Sequence, residues 1–188
     1  MINHKHKFIF IHINKCGGST IDRLLGGGLF GGHKKVFDYK KLNPKEFDNY
    51  FKFTFVRNPW DRVVSFYFYQ MKRNWIYYPF DETIPFKEFV KNWLIQMPRQ
   101  TKLNTHPCYD WISDKDDNLQ VDFIGRFENL QQDFNIVCDK IGIPQQQLPR
   151  KNATKHKHYT EYYDDETREI VAEKFAKDIE YFGYEFGE

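Results

Sequence analysis

Two apolar runs, each passing straight into a short turn and then a helix, constrain the fold of this chain more than any other feature. The first is Phe8 to Ile13, followed by Asn14-Lys15-Cys16-Gly17-Gly18-Ser19-Thr20. A continuous β-branched and aromatic run of this length suits a strand buried on both faces, as in a parallel sheet. Gly17 and Gly18 carry no Cβ, so successive N–H groups can curl into one pocket. Ser19 and Thr20 then open a helix, expected to reach Leu25, whose free N–H groups favour an anion. Lys15 places a full positive charge beside them. Residue types alone leave two readings, an anion cradle or a turn that merely needs glycine.

The second run is Phe53-Thr-Phe-Val56, followed by Arg57-Asn58-Pro59-Trp60. Asn58 is a natural N-cap and Pro59 fits the first helical position, so a helix from Pro59 to about Met71 is expected. Arg57 then sits at the carboxyl end of a strand, where open α/β sheets bind ligands. Ser65 follows eight residues on, about two helical turns along. A guanidinium fork matches phosphate oxygens, and one charge-assisted hydrogen bond contributes about 1.5–3 kcal/mol.

A Walker-type P-loop fits the first turn poorly. There the lysine follows the glycines and directly precedes Ser/Thr, whereas Lys15 comes before Gly17 and Gly18. The order Lys15-Cys16-Gly17-Gly18-Ser19-Thr20 instead resembles the 5′-phosphosulfate loop of sulfotransferases that use 3′-phosphoadenosine 5′-phosphosulfate (PAPS). Arg57 with Ser65 resembles the 3′-phosphate-binding segment of the same family. The nearest branch is that of the carbohydrate sulfotransferases, sulfotransferase family 2, related to the heparan sulfate 2-O- and chondroitin sulfotransferases. Val121 to Leu130 and Asp178 to Tyr184 agree with it less specifically. Cys16 is a departure, since threonine is commoner there, but the position contributes mainly backbone.

The resemblance implies roles. Lys15 would stabilise the bridging oxygen of the leaving phosphate, and Ser19 and Thr20 would hold the 5′-phosphate with the backbone of Cys16, Gly17 and Gly18. Arg57 and Ser65 would hold the 3′-phosphate and so select PAPS over ATP. Asn152 and Lys155, in the basic segment Pro149 to His158, would belong to a flap over the nucleotide. A general base for the acceptor hydroxyl is sought among seven histidines. His33 is the first choice, because Gly32-His33-Lys34-Lys35 resembles the segment carrying the base in the heparan sulfate 2-O-sulfotransferases. His106, in a long polar stretch over residues 97–118, is the second. His12 reads as a core residue of the first strand. No metal is required.

Bulk properties narrow the class. A chain of 188 residues is one domain by size. Hydrophobic residues make up 40% and aromatics 19%, so a packed core is available and the composition argues against disorder. A net charge of +2 argues against a nucleic-acid binder driven by a broad positive field and suits local anion pockets. Three cysteines without metal-ligand spacing, Cys16, Cys108 and Cys138, read as free thiols in a reducing compartment. No segment near the N-terminus reads as a signal peptide or anchor of the kind Golgi members carry, so the expectation is either a cytoplasmic protein or the catalytic domain of a longer one.

Elsewhere, Val36 to Tyr39 reads as a weak strand or turn and Pro44 to Asn49 as a short helix. An amphipathic helix with Phe86, Phe89, Val90, Trp93 and Leu94 inward ends at Pro98. Val121 to Gly125 reads as a parallel strand, followed by a helix with Leu130, Phe134, Val137, Cys138 and Ile141 inward. A final helix spans Asp165 to Ile179. Alternating strands and helices predict a three-layer α/β fold with a mostly parallel sheet of four or five strands, and the resemblance implies that it is the P-loop-like sulfotransferase fold. The function expected is sulfuryl transfer from PAPS to a hydroxyl of a glycan or small glycoside, with the acceptor cleft open or completed by another subunit. A non-catalytic nucleotide-binding module and an atypical P-loop kinase are the competing readings.

Overall fold

The computed structural model describes residues 1–27, 33–73, 84–94, 106–149 and 157–188. In chain order its elements are β1 (Ile2–Asn3), β2 (Phe8–Ile11), α1 (Gly18–Leu24), α2 (Val36–Leu42), α3 (Pro44–Asn49), β3 (Phe51–Val56) and α4 (Pro59–Arg73). There follow α5 (Phe86–Glu88), which runs on as a π-helical turn over Phe89–Leu94, then α6 (Tyr109–Ile112), β4 (Phe123–Arg126) and α7 (Leu130–Ile141). The last two are α8 (Asp165–Lys174) and α9 (Ala176–Phe182). Among the described residues no helix is long and apolar enough to cross a membrane. The contacts group into two compact units, Met1–Arg57 with Cys108–Lys151 and Asn58–Pro107 with Asn152–Glu188.

The first unit holds a four-stranded sheet in the order β1-β2-β3-β4. β2, β3 and β4 are parallel, with β1 added antiparallel at the edge. All four residues of β2 and the last four of β3 are buried, as continuous apolar strands in a doubly covered sheet must be. Phe10 stacks on Phe53 with ring centroids 5.0 Å apart, and Phe53 meets Phe55 edge-on at 6.3 Å. Gly125 of β4 lies under the Phe55 ring, where a Cβ would come within 2.4 Å of a ring carbon. The expected strand at Val121 begins two residues later, and Asp122 instead accepts from the Lys52 main-chain N–H at 2.7 Å and pairs with its ammonium at 3.0 Å.

α7 follows the expected stripe from Phe134 onward, burying Phe134, Val137, Cys138 and Ile141, whereas Leu130 at its start is only half-buried, and it closes with Gly142 at φ 69°. The Val36 to Tyr39 segment is a helix rather than a strand or turn. Asp38 accepts from the Lys35 main-chain N–H at 2.9 Å, and Val36 and Tyr39, three apart, are the buried pair.

The second unit is helical. Asn58 caps α4 as its sequence position predicts, its Oδ1 accepting from the Trp60 N–H at 3.1 Å. Trp60, Val63, Val64 and Phe66 of α4 share a core with Phe86, Phe89, Val90, Leu94, Tyr159, Val171 and Phe175. The predicted single α-helix through Leu94 widens to a π turn after Glu88, which still buries Phe89, Val90 and Leu94. The Trp93 side chain and Pro98 lie outside the described residues. The expected helix from Asp165 to Ile179 breaks at Phe175, whose φ of −110° leaves the helical range while its ring stays buried.

Candidate anion-binding site

Parallel pairing brings the two sequence motifs of the first unit to one edge of the sheet. Ile11 pairs with Thr54 in register, so β2 and β3 run out side by side, one into the Lys15 loop and the other into Arg57. Val56 pairs with Arg126 in the same sense, which carries Phe127 to the position beside Arg57.

The loop is built from left-handed backbone. Lys15 has φ 67° and Gly17 φ 79°. For lysine that conformation costs about 1–2 kcal/mol, and it turns the Lys15 carbonyl across the sheet edge. Arg57 Nη1 donates to that carbonyl at 3.1 Å, and the guanidinium lies 3.9 Å from the centre of the Phe127 ring. A Cβ on Gly17 would stand 3.0 Å from Leu130 Cδ2 and 3.2 Å from Phe127 Cδ2. Phe127 and Leu130 therefore form the floor that holds the loop against Arg57. They are missed when the sequence is read for charged groups. The available signal is their place directly after a strand parallel to β3.

Gly18 has its own reason to be glycine, since a Cβ there would lie 2.2 Å from His12 Cδ2. His12 lies one residue past β2 rather than inside the strand, with its ring stacked on Phe10 at 5.5 Å. Burial, reinforced by the neighbouring His33, pulls the His12 pKa down to about 3, so the ring stays neutral.

His33 is exposed and anchored to this strand end. Its Nδ1 lies 3.0 Å from the His12 carbonyl oxygen, and the two rings meet at 4.5 Å. A carbonyl can only accept, so Nδ1 donates this hydrogen bond. The edge of Trp111, on α6, faces the ring at 6.3 Å.

Ser19 and Thr20 lie in the first turn of α1. Ser65 lies on α4 of the second unit, 8% exposed. His106 also belongs to that unit, where its main-chain carbonyl accepts from Arg62 Nη1 at 2.7 Å. Asn152 and Lys155 lie outside the described residues. Among the described residues no group of three or more His, Cys, Asp or Glu side chains is arranged to hold a metal ion.

A mostly parallel α/β sheet thus carries, at one edge, a left-handed, lysine-bearing loop beside a strand-end arginine, at the carboxyl ends of the strands where open α/β sheets bind ligands. The chain belongs to the sulfotransferase family, whose pattern it matches over residues 1–185. It is 36% identical to an uncharacterized protein of Archaeoglobus fulgidus over 125 residues, 63% of this chain and 90% of that protein. It is 26% identical to carbohydrate sulfotransferase 9 of Homo sapiens and 26% to carbohydrate sulfotransferase 14 of Danio rerio, in each case over 95% of this chain. Those alignments cover 47% and 58% of the two relatives, so this chain spans about half of their length.

Proposed function

We propose that this protein transfers a sulfuryl group from PAPS to a hydroxyl of a carbohydrate acceptor. The observation that carries the reading is the Lys15–Arg57 pairing at one strand edge, in a chain of the sulfotransferase family. The carbohydrate acceptor is suggested by the names of the two relatives that align over nearly the whole chain.

Sulfuryl transfer moves an SO₃ group in line from a phosphate oxygen to an acceptor oxygen, so the protein must position both and absorb charge on the departing phosphate. In this reading Lys15 meets the bridging oxygen as its bond to sulfur breaks. The loop backbone from Cys16 to Thr20 holds the 5′-phosphate, and Arg57 and Ser65 hold the 3′-phosphate. Asn152 and Lys155 complete the nucleotide contacts. The acceptor proton passes to His33 Nε2 as the new oxygen–sulfur bond forms, a contribution of about 10²–10⁴-fold for a positioned base. His106 is the alternative base.

The test compares nucleotides and then turnover. Adenosine 3′,5′-bisphosphate raises the unfolding temperature more than AMP or ATP does. Label from PAPS then appears on a polysaccharide or small glycoside, and Lys15→Ala abolishes that transfer while the chain remains folded. Equal thermal shifts for the three nucleotides refute the 3′-phosphate assignment. Bisphosphate binding without transfer to any acceptor indicates a non-catalytic module, and magnesium-dependent ATP turnover indicates a kinase.

A further inference from the structure

The phosphate loop contains a sulfur that does not face solvent. Cys16 is 1% exposed and Cys108 is fully buried, and their Sγ atoms lie 3.9 Å apart although the residues are 92 positions apart in sequence. Both belong to the first unit. The Cys16 thiol also donates toward the Asn14 carbonyl at 3.5 Å. The third cysteine, Cys138, is buried on α7 beside Phe134 and Val137. The short-range sulfur pair is thus specific, and one of its members sits between the two left-handed residues of the loop, Lys15 and Gly17.

We propose that Cys16 and Cys108 are a redox pair, whose reversible disulfide withdraws the phosphate loop from its binding geometry. A disulfide requires sulfurs about 2.0 Å apart, so the pair must close by roughly 2 Å. Turning about χ1 supplies part of that movement and the main chain at Cys16 supplies the rest. That main chain follows Lys15, whose carbonyl is held by Arg57 at 3.1 Å, so a pull on Cys16 disturbs the contact joining the two strand-end motifs. At the other end, the Cys108 carbonyl accepts from the Trp111 N–H at 3.0 Å, and the Trp111 ring flanks His33. One covalent bond therefore acts on both the loop and the support of the histidine.

The oxidant is a small peroxide, able to reach thiols closed to bulkier reagents. One thiolate attacks the O–O bond and becomes a sulfenic acid as the peroxide is reduced to water or an alcohol. The second thiol then attacks the sulfenic sulfur, forming the S–S bond and releasing water. The two cysteines together lose two electrons and two hydrogens. Burial beside a resolving thiol directs the sulfenic acid to the disulfide rather than to higher oxides.

The formation of the bond stands on geometry, whereas its effect on nucleotide rests on the proposed function. The full chain is treated with hydrogen peroxide, quenched and alkylated after unfolding, and mapped under non-reducing conditions. The expected product is a monomeric chain with one cross-linked peptide containing Cys16 and Cys108, reversed by dithiothreitol, with Cys138 still alkylated. Cys16→Ser and Cys108→Ser each abolish the cross-link, and the map of the unsubstituted chain decides the pairing if either variant fails to fold. A map in which Cys16 and Cys108 remain thiols, pair with Cys138 or join two chains overturns the proposal. The oxidised chain is then expected to bind adenosine 3′,5′-bisphosphate roughly tenfold more weakly than the reduced chain, with affinity restored by dithiothreitol. Equal affinities overturn the switch. Failure of the reduced chain to bind the nucleotide counts against the proposed function, and the switch falls with it, while the map still decides the pairing.

Discussion

The guanidinium of Arg57 donates to the main-chain carbonyl of Lys15 across 3.1 Å, joining the residue after β3 to the loop after β2. The same guanidinium lies over Phe127, the residue after β4. Arg57 thus holds three consecutive strand ends together from a position only 7% exposed. In this position Arg57 stabilises the fold as well as serving the proposed 3′-phosphate contact, and each role predicts a separable effect.

Arg57→Lys keeps the charge but loses the planar fork and the stacking on Phe127. It is expected to destabilise the chain by about 1.5–3 kcal/mol, the range for a lost hydrogen bond to a charged group, and to remove the preference for adenosine 3′,5′-bisphosphate over AMP. Urea unfolding with and without each nucleotide measures both. An undiminished preference in the lysine variant would remove the fork from 3′-phosphate recognition.

Lys15 occupies a left-handed conformation that glycine adopts without strain. Lys15→Gly is therefore expected to be more stable than Lys15→Ala by about 1 kcal/mol, while both variants lose transfer activity. If alanine is as stable as glycine at this position, the backbone is not held at positive φ in solution.

Gly18→Ala drives a Cβ into the His12 ring and is expected to cost about 1–3 kcal/mol. The cost shrinks when His12 is also replaced by alanine, because the obstructing ring is gone. A double-mutant cycle reads this as an interaction energy on the order of 0.5–3 kcal/mol. Strict additivity would show that the two residues do not touch.

His12 confers a pH dependence whose sign is determined by its environment. Its folded pKa of about 3 lies below the ordinary 6.5, so between those values the unfolded chain binds a proton that the folded chain does not. Stability therefore rises with pH across that window, by up to about 1.4 kcal/mol per pH unit, and is lost as pH falls. His12→Gln is expected to flatten the urea-midpoint profile between about pH 4 and 6.5 by one proton's worth. Parallel profiles for the two proteins would place a charged, hydrated imidazole at this position.

His33→Ala is expected to lower turnover about 10²-fold or more while leaving bisphosphate affinity nearly unchanged. The pair of measurements matters, because a loss in both would indicate damage to the loop through His12. An unchanged rate transfers the role of base to His106.

Both strand-to-helix motifs were legible in the linear chain. Phe8–Ile11 is an unbroken apolar run, Phe53–Val56 departs from one only at the buried Thr54, and Asn58-Pro59 announces a helix start, so local chemistry suffices to place these elements. Val36 to Tyr39 reads either way because so short a run, with Val36, Phe37 and Tyr39 apolar, suits either period, and the deciding Lys35–Asp38 cap is a contact between polar neighbours. The break at Phe175 was hidden for a related reason. Helical spacing continues through Ile179, but the buried Phe175 ring leaves the helical backbone to stay in the core.

What the amino-acid order determined by itself was the place of Lys15, Gly17, Gly18 and Arg57 at the ends of two strands, because propensity and turn chemistry act over a few residues. Only the tertiary structure decided that Arg57 grips the Lys15 carbonyl, that Phe127 and Leu130 support the loop, that His33 Nδ1 meets the His12 carbonyl and that two thiols 92 residues apart meet. These are relationships of parallel register and packing, which join residues distant along the chain and leave no periodic trace within any one segment.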